Sequence, residues 1–285
     1  MSNVLFDLPG PKARVRHRAL GVVGVLALLG VIAYVVYRFY DSGQFTGEKW
    51  EWLQYQKVQE DLLAAVGNTL KAFALGAVLA IVFGAVFAAG RLSEHAWVRA
   101  ISSVVVEFFR AIPLLILMFL FYYGLPVAGV KMTPYAAVVL GLTLYNGSVL
   151  AEVFRAGVLA LPKGQSEAAY ALGMRKTQVM VQVLLPQALR SMLPTIISQL
   201  VVLLKDTALG FLITYEELLN YARYIGSQGS FARPIVPTTI VIGAIYIALC
   251  LLLTLLANYL QKRSQRSRKT PDATIGDEEL VKANA

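Results

Sequence analysis

The residues most able to do chemistry are polar side chains within long apolar stretches. Asn146, Ser148 and Glu152 lie in one such stretch, and Glu107 and Arg110 lie near the start of another. An amide, a hydroxyl or a charge at membrane depth is costly unless it faces protein or water, so each could meet a zwitterionic solute in transit. Asn146 and Ser148 lie near the expected middle of their stretch, where a hydrogen bond to a neighbouring helix is an equal alternative. Asn146, Ser148, Glu152 and Arg110 are therefore candidates for a substrate path.

Charges near the ends of the apolar stretches have a simpler explanation. Arg110, Glu152 and Arg155 fall where we expect the inner headgroups, and Lys205 with Asp206 falls at the expected outer end of a stretch. Charged side chains at these depths commonly reach the interface and remain solvated. We therefore favour interfacial anchoring for these groups and expect Lys205 and Asp206 to be a solvated outer pair.

Enzymatic chemistry has little support in the sequence. There is no Gly-x-x-x-x-Gly-Lys-Ser/Thr segment to cradle the phosphates of ATP, and neither Gly-x-Ser-x-Gly nor His-Glu-x-x-His occurs. The single cysteine, Cys250, lies in an apolar stretch, and two histidines, His17 and His95, are too few for a metal site. We expect no enzyme activity, no catalytic residue, no metal and no cofactor bound by this chain.

Composition assigns these residues to a membrane protein. Of 285 residues, 57% are hydrophobic and 15% are charged, and the mean hydropathy is +0.62. A soluble domain would mix charge into every helical turn, whereas here whole stretches long enough to cross a bilayer carry almost none. The net charge of +9 gathers between these stretches, as at 12–18 and 262–269, which the positive-inside rule explains without a nucleic-acid partner.

The apolar stretches predict six transmembrane helices of about 20 residues or more. They are apolar on every face, which excludes the period-two alternation of a β-barrel and predicts an all-α membrane protein. Gly and Pro within several of them favour a closely packed helical bundle. The predicted spans are 19–40, 64–90, 104–127, 134–155, 186–205 and 235–260.

Basic residues alternate along the chain so that both termini are predicted in the cytoplasm. Segment 206–234 is too polar to cross the membrane and too apolar for an ordinary loop, which predicts a short interfacial or re-entrant helix at the outer face. The predicted organisation is a basic cytoplasmic segment at 1–18, an extra span at 19–40, an extracytoplasmic loop at 41–63, a membrane domain at 64–262 and a polar cytoplasmic tail at 263–285.

The most informative pattern lies in the cytoplasmic connection between the fourth and fifth spans, at about 156–185. Pro162-Lys163-Gly164 is followed by Glu167-Ala168-Ala169, then by Gly173 and, about a dozen residues later, by Pro186. Helix-favouring residues with small side chains predict a short helix that another protein can approach closely. Gly173 is predicted to end this helix in a left-handed conformation.

This connection resembles the EAA loop in the permease subunits of binding-protein-dependent ABC importers. The resemblance extends over roughly 60–262 and leaves the first span as an addition to a five-helix core. Long variants with such an extra helix resemble glutamate-uptake permeases. The segments similar to the polar amino-acid subfamily are 154–157, 162–165, 186–190, 205–209 and 107–115, the last with Ala111 and Ile112 where the subfamily has Gly and Thr.

The resemblance implies an importer of polar amino acids, with glutamate preferred, in a prokaryotic plasma membrane. It implies a cytoplasmic ABC ATPase dimer that hydrolyses ATP, a second copy of this or a related permease, and an extracytoplasmic amino-acid-binding protein. A helix docked on the ATPase could pass a rigid-body movement to both adjoining spans. The residues implied in this coupling are Pro162, Gly164, Glu167, Ala168, Ala169 and Gly173.

Two other functions remain open. A secondary transporter driven by an ion gradient would need coupling carboxylates at mid-membrane, and no Asp or Glu lies at the centre of a predicted span. A membrane scaffold that transports nothing would leave the cytoplasmic pattern without a purpose. The ATP-driven permease is therefore the leading hypothesis.

Overall fold

The computed structural model describes residues 10–266, and this part of the chain contains helices and no strand, which confirms the all-α prediction. The predictions for residues 1–9 and for 267–285, most of the polar tail, lie outside the described residues. A short 3-10 helix, Gly47–Gln54, precedes the bundle. The helices are α1 Pro11–Asp41, α2 Gln56–Arg91, α3 Ala96–Ala111, α4 Leu114–Val127, α5 Pro134–Leu159, α6 Lys163–Ala171, α7 Lys176–Ile213, α8 Leu218–Gly226 and α9 Ile235–Arg266.

Five helices in the described range, α1, α2, α5, α7 and α9, are long and apolar enough to cross a membrane. The pair α3 and α4 passes the same test only together, and it is bent by 96°. The predicted span over 104–127 therefore falls on this bent pair, and the count of six spans stays a prediction. Ile112 has an extended backbone (φ −88°, ψ 126°), because the ring of Pro113 disfavours the helical region for the residue before it.

Close packing of α2 against α5 forms the centre of the bundle. A Cβ added at Gly84 would lie 2.9 Å from the Leu150 Cβ and 3.1 Å from the Gly147 carbonyl oxygen. A Cβ added at Gly147 would in turn lie 2.8 Å from the Phe83 ring. Small residues let helix backbones approach each other in a membrane, where packing rather than water drives association. The two glycines thus fix the distance between α2 and α5.

Helix α1, which contains the predicted extra span, stands apart from this centre. None of the residues in its apolar window is buried against the rest of the chain. A helix that is apolar on all sides and free of such contacts is suited to a lipid environment. The chain rejoins the bundle at Trp52, which is 1% exposed in a cluster with Leu218 and Tyr221.

Segment 206–234 contains the predicted short helix, which is α8. The chain turns at Thr214, whose φ is +62°, after the 3-10 turns that end α7. The Tyr215 hydroxyl donates to the Asn68 carbonyl oxygen (2.7 Å), and the Tyr221 hydroxyl donates to the Val58 carbonyl oxygen (2.8 Å). These bonds hold the segment on α2; its depth in the membrane stays a prediction.

Candidate functional site

The predicted coupling helix is present as α6. Pro162 precedes its first turn, and Glu167-Ala168-Ala169 lies within it. Gly173 has a φ of +75°, the Gly173 N–H donates to the Tyr170 carbonyl oxygen (2.9 Å), and the Met174 N–H donates to the Ala169 carbonyl oxygen (3.2 Å). This pair of bonds is the Schellman turn that commonly ends a helix at glycine, so the predicted left-handed end is confirmed.

One face of α6 rests on the protein and the other is exposed. The Ala169 side chain is buried, whereas Glu167 and Ala168 are exposed. Tyr170 is 49% exposed, and Leu172, which follows the last residue of the helix, is 83% exposed. The sequence analysis did not single out these two residues, although their position just before a predicted capping glycine could have indicated that they are exposed.

Two contacts join the coupling segment to neighbouring helices. The Gln187 side-chain amide donates to Gln165 Oε1 of α6 (3.2 Å) and to the Val183 carbonyl oxygen (2.9 Å), which lies in a π-helical turn of α7. The Lys176 ammonium lies 2.7 Å from Glu94, in the connection between α2 and α3. The hydrogen bond and the charge of Lys176 lower the pKa of the Glu94 carboxyl. Gln187 thus joins α6 to α7, and Lys176 joins the start of α7 to the connection between α2 and α3.

An ion-pair network connects α2, α3 and α5 at their ends near this segment. Arg91 lies 3.1 Å from Glu107 and 2.9 Å from Glu152, and its side chain is only 11% exposed. Arg155 lies 2.6 Å from Glu152, and Arg110 lies 3.5 Å from Glu107. The network places Arg110 and Glu152 toward one end of the bundle rather than its middle. Their part in a substrate path stays a prediction.

A second polar cluster lies inside the bundle around Asn146 of α5. The Asn146 side chain is fully buried, accepts a hydrogen bond from Gln199 Nε2 (2.7 Å) and donates through Nδ2 to Asp206 Oδ2 (3.3 Å). Both partners belong to α7. Ser148 is also buried, but its hydroxyl donates to the Leu144 carbonyl oxygen of its own helix (2.6 Å). Of the two mid-span candidates, only Asn146 connects two helices through these bonds.

The position of Asp206 corrects one expectation. The prediction that Lys205 and Asp206 form a solvated outer pair is wrong for Asp206, which is partly buried and hydrogen-bonded to Asn146. The reason is that the helix does not end there: 3-10 turns continue it to Ile213. Asp206 also supplies a carboxylate inside the bundle, which the secondary-transporter alternative requires. The sequence analysis also missed Gln199, although the argument made for Asn146, an amide within an apolar span, applies equally to Gln199.

Glu217 forms a third buried polar site, which sequence reasoning missed. Its carboxylate accepts hydrogen bonds from the backbone N–H groups of Leu219 (2.8 Å) and Asn220 (2.7 Å), and thereby caps α8. The Tyr246 hydroxyl of α9 donates to the same carboxylate (2.6 Å). Burial raises the pKa of Glu217 to about 7. This side chain fastens α8 to α9.

Metal-binding side chains do not converge in the described part of the chain. Between residues 10 and 266, no group of three or more His, Cys, Asp or Glu side chains could hold a metal ion. Cys250 is a free thiol in α9. That this chain binds no cofactor stays a prediction.

Comparison with known proteins relates these features to a family. The family of the binding-protein-dependent transport system inner membrane component matches residues 80–266, which include α5, α6 and α7. The glutamate transport system permease protein GluD of Corynebacterium glutamicum is 39% identical over 243 residues, covering 83% of this chain and 88% of that protein. The probable glutamine ABC transporter permease protein GlnP of Bacillus subtilis is 33% identical over 195 residues, covering 68% and 89%.

Solved structures show the same helical arrangement. The crystal structure of an amino acid ABC transporter with histidines has a chain that superposes with a TM-score of 0.67 at 29% identity, covering 74% of this chain and 98% of that one. An inward-facing structure of the MetNI methionine ABC transporter gives a TM-score of 0.61 at 21% identity, covering 73% and 98%. The second likeness concerns the fold alone.

Proposed function

Because the chain belongs to the family of binding-protein-dependent transport system inner membrane components, we propose that it carries glutamate across the membrane, driven by a separate ATPase. It is a multi-pass plasma-membrane protein and the permease subunit of an ABC importer of polar amino acids. The observation that carries the coupling part of the proposal is α6, a short capped helix with an exposed apolar end and a hydrogen bond to α7.

The ATPase would act on the permease through the exposed face of α6. Tyr170 and Leu172 offer apolar surface to the ATPase, while buried Ala169 seats the helix on the rest of the loop. A push on α6 would pass through Gln187 into α7 and through the Lys176–Glu94 pair toward α2 and α3. Rigid short elements transmit such displacements with little loss, because packed interfaces switch between discrete arrangements. The remaining coupling residues, Pro162, Gly164, Glu167 and Ala168, would shape this docking surface.

The substrate path would follow the contact between α5 and α7. Displacement of α7 would open the bonds that Asn146 makes with Gln199 and Asp206. The freed amides and carboxylate could then exchange partners with the ammonium and carboxylate of an amino acid. At the other end, Arg110 and Glu152 belong to a network of three arginines and two glutamates, which suits an acidic solute leaving the path. Ser148 would contribute less, since its hydroxyl bonds within α5.

The absence of a P-loop in the sequence and the membership of the family support an assembly with separate ATPase subunits. We propose two cytoplasmic ATPase subunits, a second copy of this or a related permease, and an extracytoplasmic binding protein. Both chain termini would lie in the cytoplasm, and ATP would be bound and hydrolysed by the partner alone. The similarity to GluD supports glutamate as the substrate, and the similarity to GlnP makes glutamine the solute to compare.

Uptake of radiolabelled glutamate by cells lacking and re-expressing the chain tests this proposal. We expect restored uptake that stops on ATP depletion, survives an ionophore and is competed more strongly by unlabelled glutamate than by glutamine. Stronger competition by glutamine would overturn the substrate but leave the importer. Uptake that survives ATP depletion and is lost on collapse of the ion gradient would instead establish the secondary transporter.

A further inference from the structure

A lateral groove of about 650 Å³ lies between α2 and α7, with α5 at its base. This volume falls within the range of about 300–1,000 Å³ that is usual for small-molecule sites. Its walls are almost entirely apolar. Representative lining residues are Ile81, Ala85 and Ala89 on one wall, Met180 and Leu189 on the other, and Met192 at the base.

The groove has a buried base and exposed apolar rims. Met192 is 5% exposed, and it can reach the base because Gly157 has no side chain: a Cβ there would lie 2.5 Å from the Met192 Cε. The rim residues Val181 and Leu189 are 54% and 41% exposed. The groove therefore opens sideways, in the direction of the hydrocarbon that surrounds a membrane-spanning bundle.

The length of the groove matches one leaflet. Its wall along α2 extends from Ile81 to Leu92, which is about 16 Å at 1.5 Å per residue. Half of the hydrocarbon core is about 15 Å thick. Ser93, Glu94 and Lys176 line the polar mouth beside α6, so the groove occupies the inner half of the membrane if α6 is cytoplasmic, a point that rests on the proposed function.

The mouth carries one negative and one positive side chain in contact. Glu94 and Lys176 lie 2.7 Å apart, and both side chains are partly or largely exposed. An exposed ion pair of this kind is worth about 0–1 kcal/mol, so each charge can exchange its partner at little cost. A headgroup with an ammonium and a phosphate offers one opposite charge to each residue.

We propose that this groove binds one acyl chain of a zwitterionic phospholipid, its phosphate on Lys176 and its ammonium on Glu94. The apolar length, the lateral opening and the charge pair at the mouth agree with this ligand. The bound lipid would sit between α2 and the start of α7, the helix that α6 contacts.

A photoreactive phosphatidylethanolamine with a diazirine in its acyl chain tests the proposal in native membrane vesicles containing the assembled transporter. Label is mapped by mass spectrometry of the tagged chain. We expect label on Met180 and Met192 in the groove in addition to exposed Val82 and Val86 on α2. Label on Val82 and Val86 without Met180 and Met192 would overturn it, whether the groove is empty or covered by a second permease.

Two sets of variants sharpen the test. Ala89→Trp fills the groove and should remove label from Met192, whereas Val86→Trp, on the same helix but outside the groove, should leave it. Glu94→Gln should abolish the preference for this probe over a phosphatidylglycerol probe with the same chain. Equal labelling of the wild-type groove by both probes would overturn the assignment of the headgroup, and persistent label in Ala89→Trp would overturn the site.

Discussion

Replacing Gly173 with valine should weaken docking of the ATPase without preventing membrane insertion. The φ of Gly173 is +75°, a conformation that side chains with a Cβ disfavour. An added Cβ would meet no atom within 4 Å. The penalty therefore comes from the backbone of the turn and not from crowding inside the chain, so the bundle should remain intact.

The size of the effect follows from the left-handed conformation. It costs an ordinary residue about 1–2 kcal/mol, and a β-branched residue is at the unfavourable end. Such a cost lowers the equilibrium constant for forming the turn by about 5- to 30-fold. Because only the competent fraction binds, the apparent affinity for the ATPase should fall by at most this factor.

The assay is titration of the purified ATPase onto the permease in nanodiscs, with uptake measured in parallel. Gly173→Asn is the matched control, because asparagine adds a side chain of similar size but tolerates the left-handed region. We expect Asn to bind nearly as wild type and Val to bind more weakly, by up to about 30-fold, at equal amounts in the membrane. Wild-type binding and transport by Gly173→Val would refute the reasoning.

Three further predictions concern the bundle. Burial raises the pKa of Glu217 from 4.5 to about 7, so between these pH values the folded chain retains a proton that the unfolded chain has lost. The free energy of unfolding should therefore be highest below pH 4.5 and fall as the pH rises through about 7. Thermal unfolding of Glu217→Gln should lack this dependence. Gly84→Ala should lower the unfolding free energy by about 1–3 kcal/mol, since its Cβ would meet α5 at 2.9 Å, while Gly67→Ala, with open space, should not. Asn146→Leu leaves the Gln199 amide and the Asp206 carboxyl without this partner, at about 1–3 kcal/mol for each group that stays buried, so the melting temperature should fall. Uptake should be lost even at temperatures where the variant is folded; normal uptake there would remove Asn146 from the path.

Local patterns predicted the parts of the structure that depend on local physics. The capped helix α6 follows from Pro162, the Glu-Ala-Ala run and Gly173, all within a dozen residues of each other. The family was also recognised from this loop, and the match over residues 80–266 confirms it. The break between α3 and α4 could also have been predicted, because Pro113 marks it in the sequence. Hydropathy averaged over an apolar stretch does not reveal such a bend.

Contacts between distant segments could not be predicted in the same way. Asp206 could be placed against Asn146 only after the 3-10 turns were known to extend α7 beyond it. Glu217 depends on a hydroxyl from Tyr246 in another helix, and nothing near Glu217 in the sequence indicates that partner. Hydropathy describes how a segment partitions into lipid, whereas these sites arise from which faces of two helices meet.

Cross-linking from α6 tests the central claim most directly. A photoreactive phenylalanine analogue in place of Tyr170, which is 49% exposed on α6, should capture an ABC ATPase subunit in native membranes. The same analogue in place of Tyr123, 55% exposed in α4, is the control and should capture no ATPase. Failure to capture an ATPase from position 170, in cells that take up the amino acid through this chain, would contradict the account.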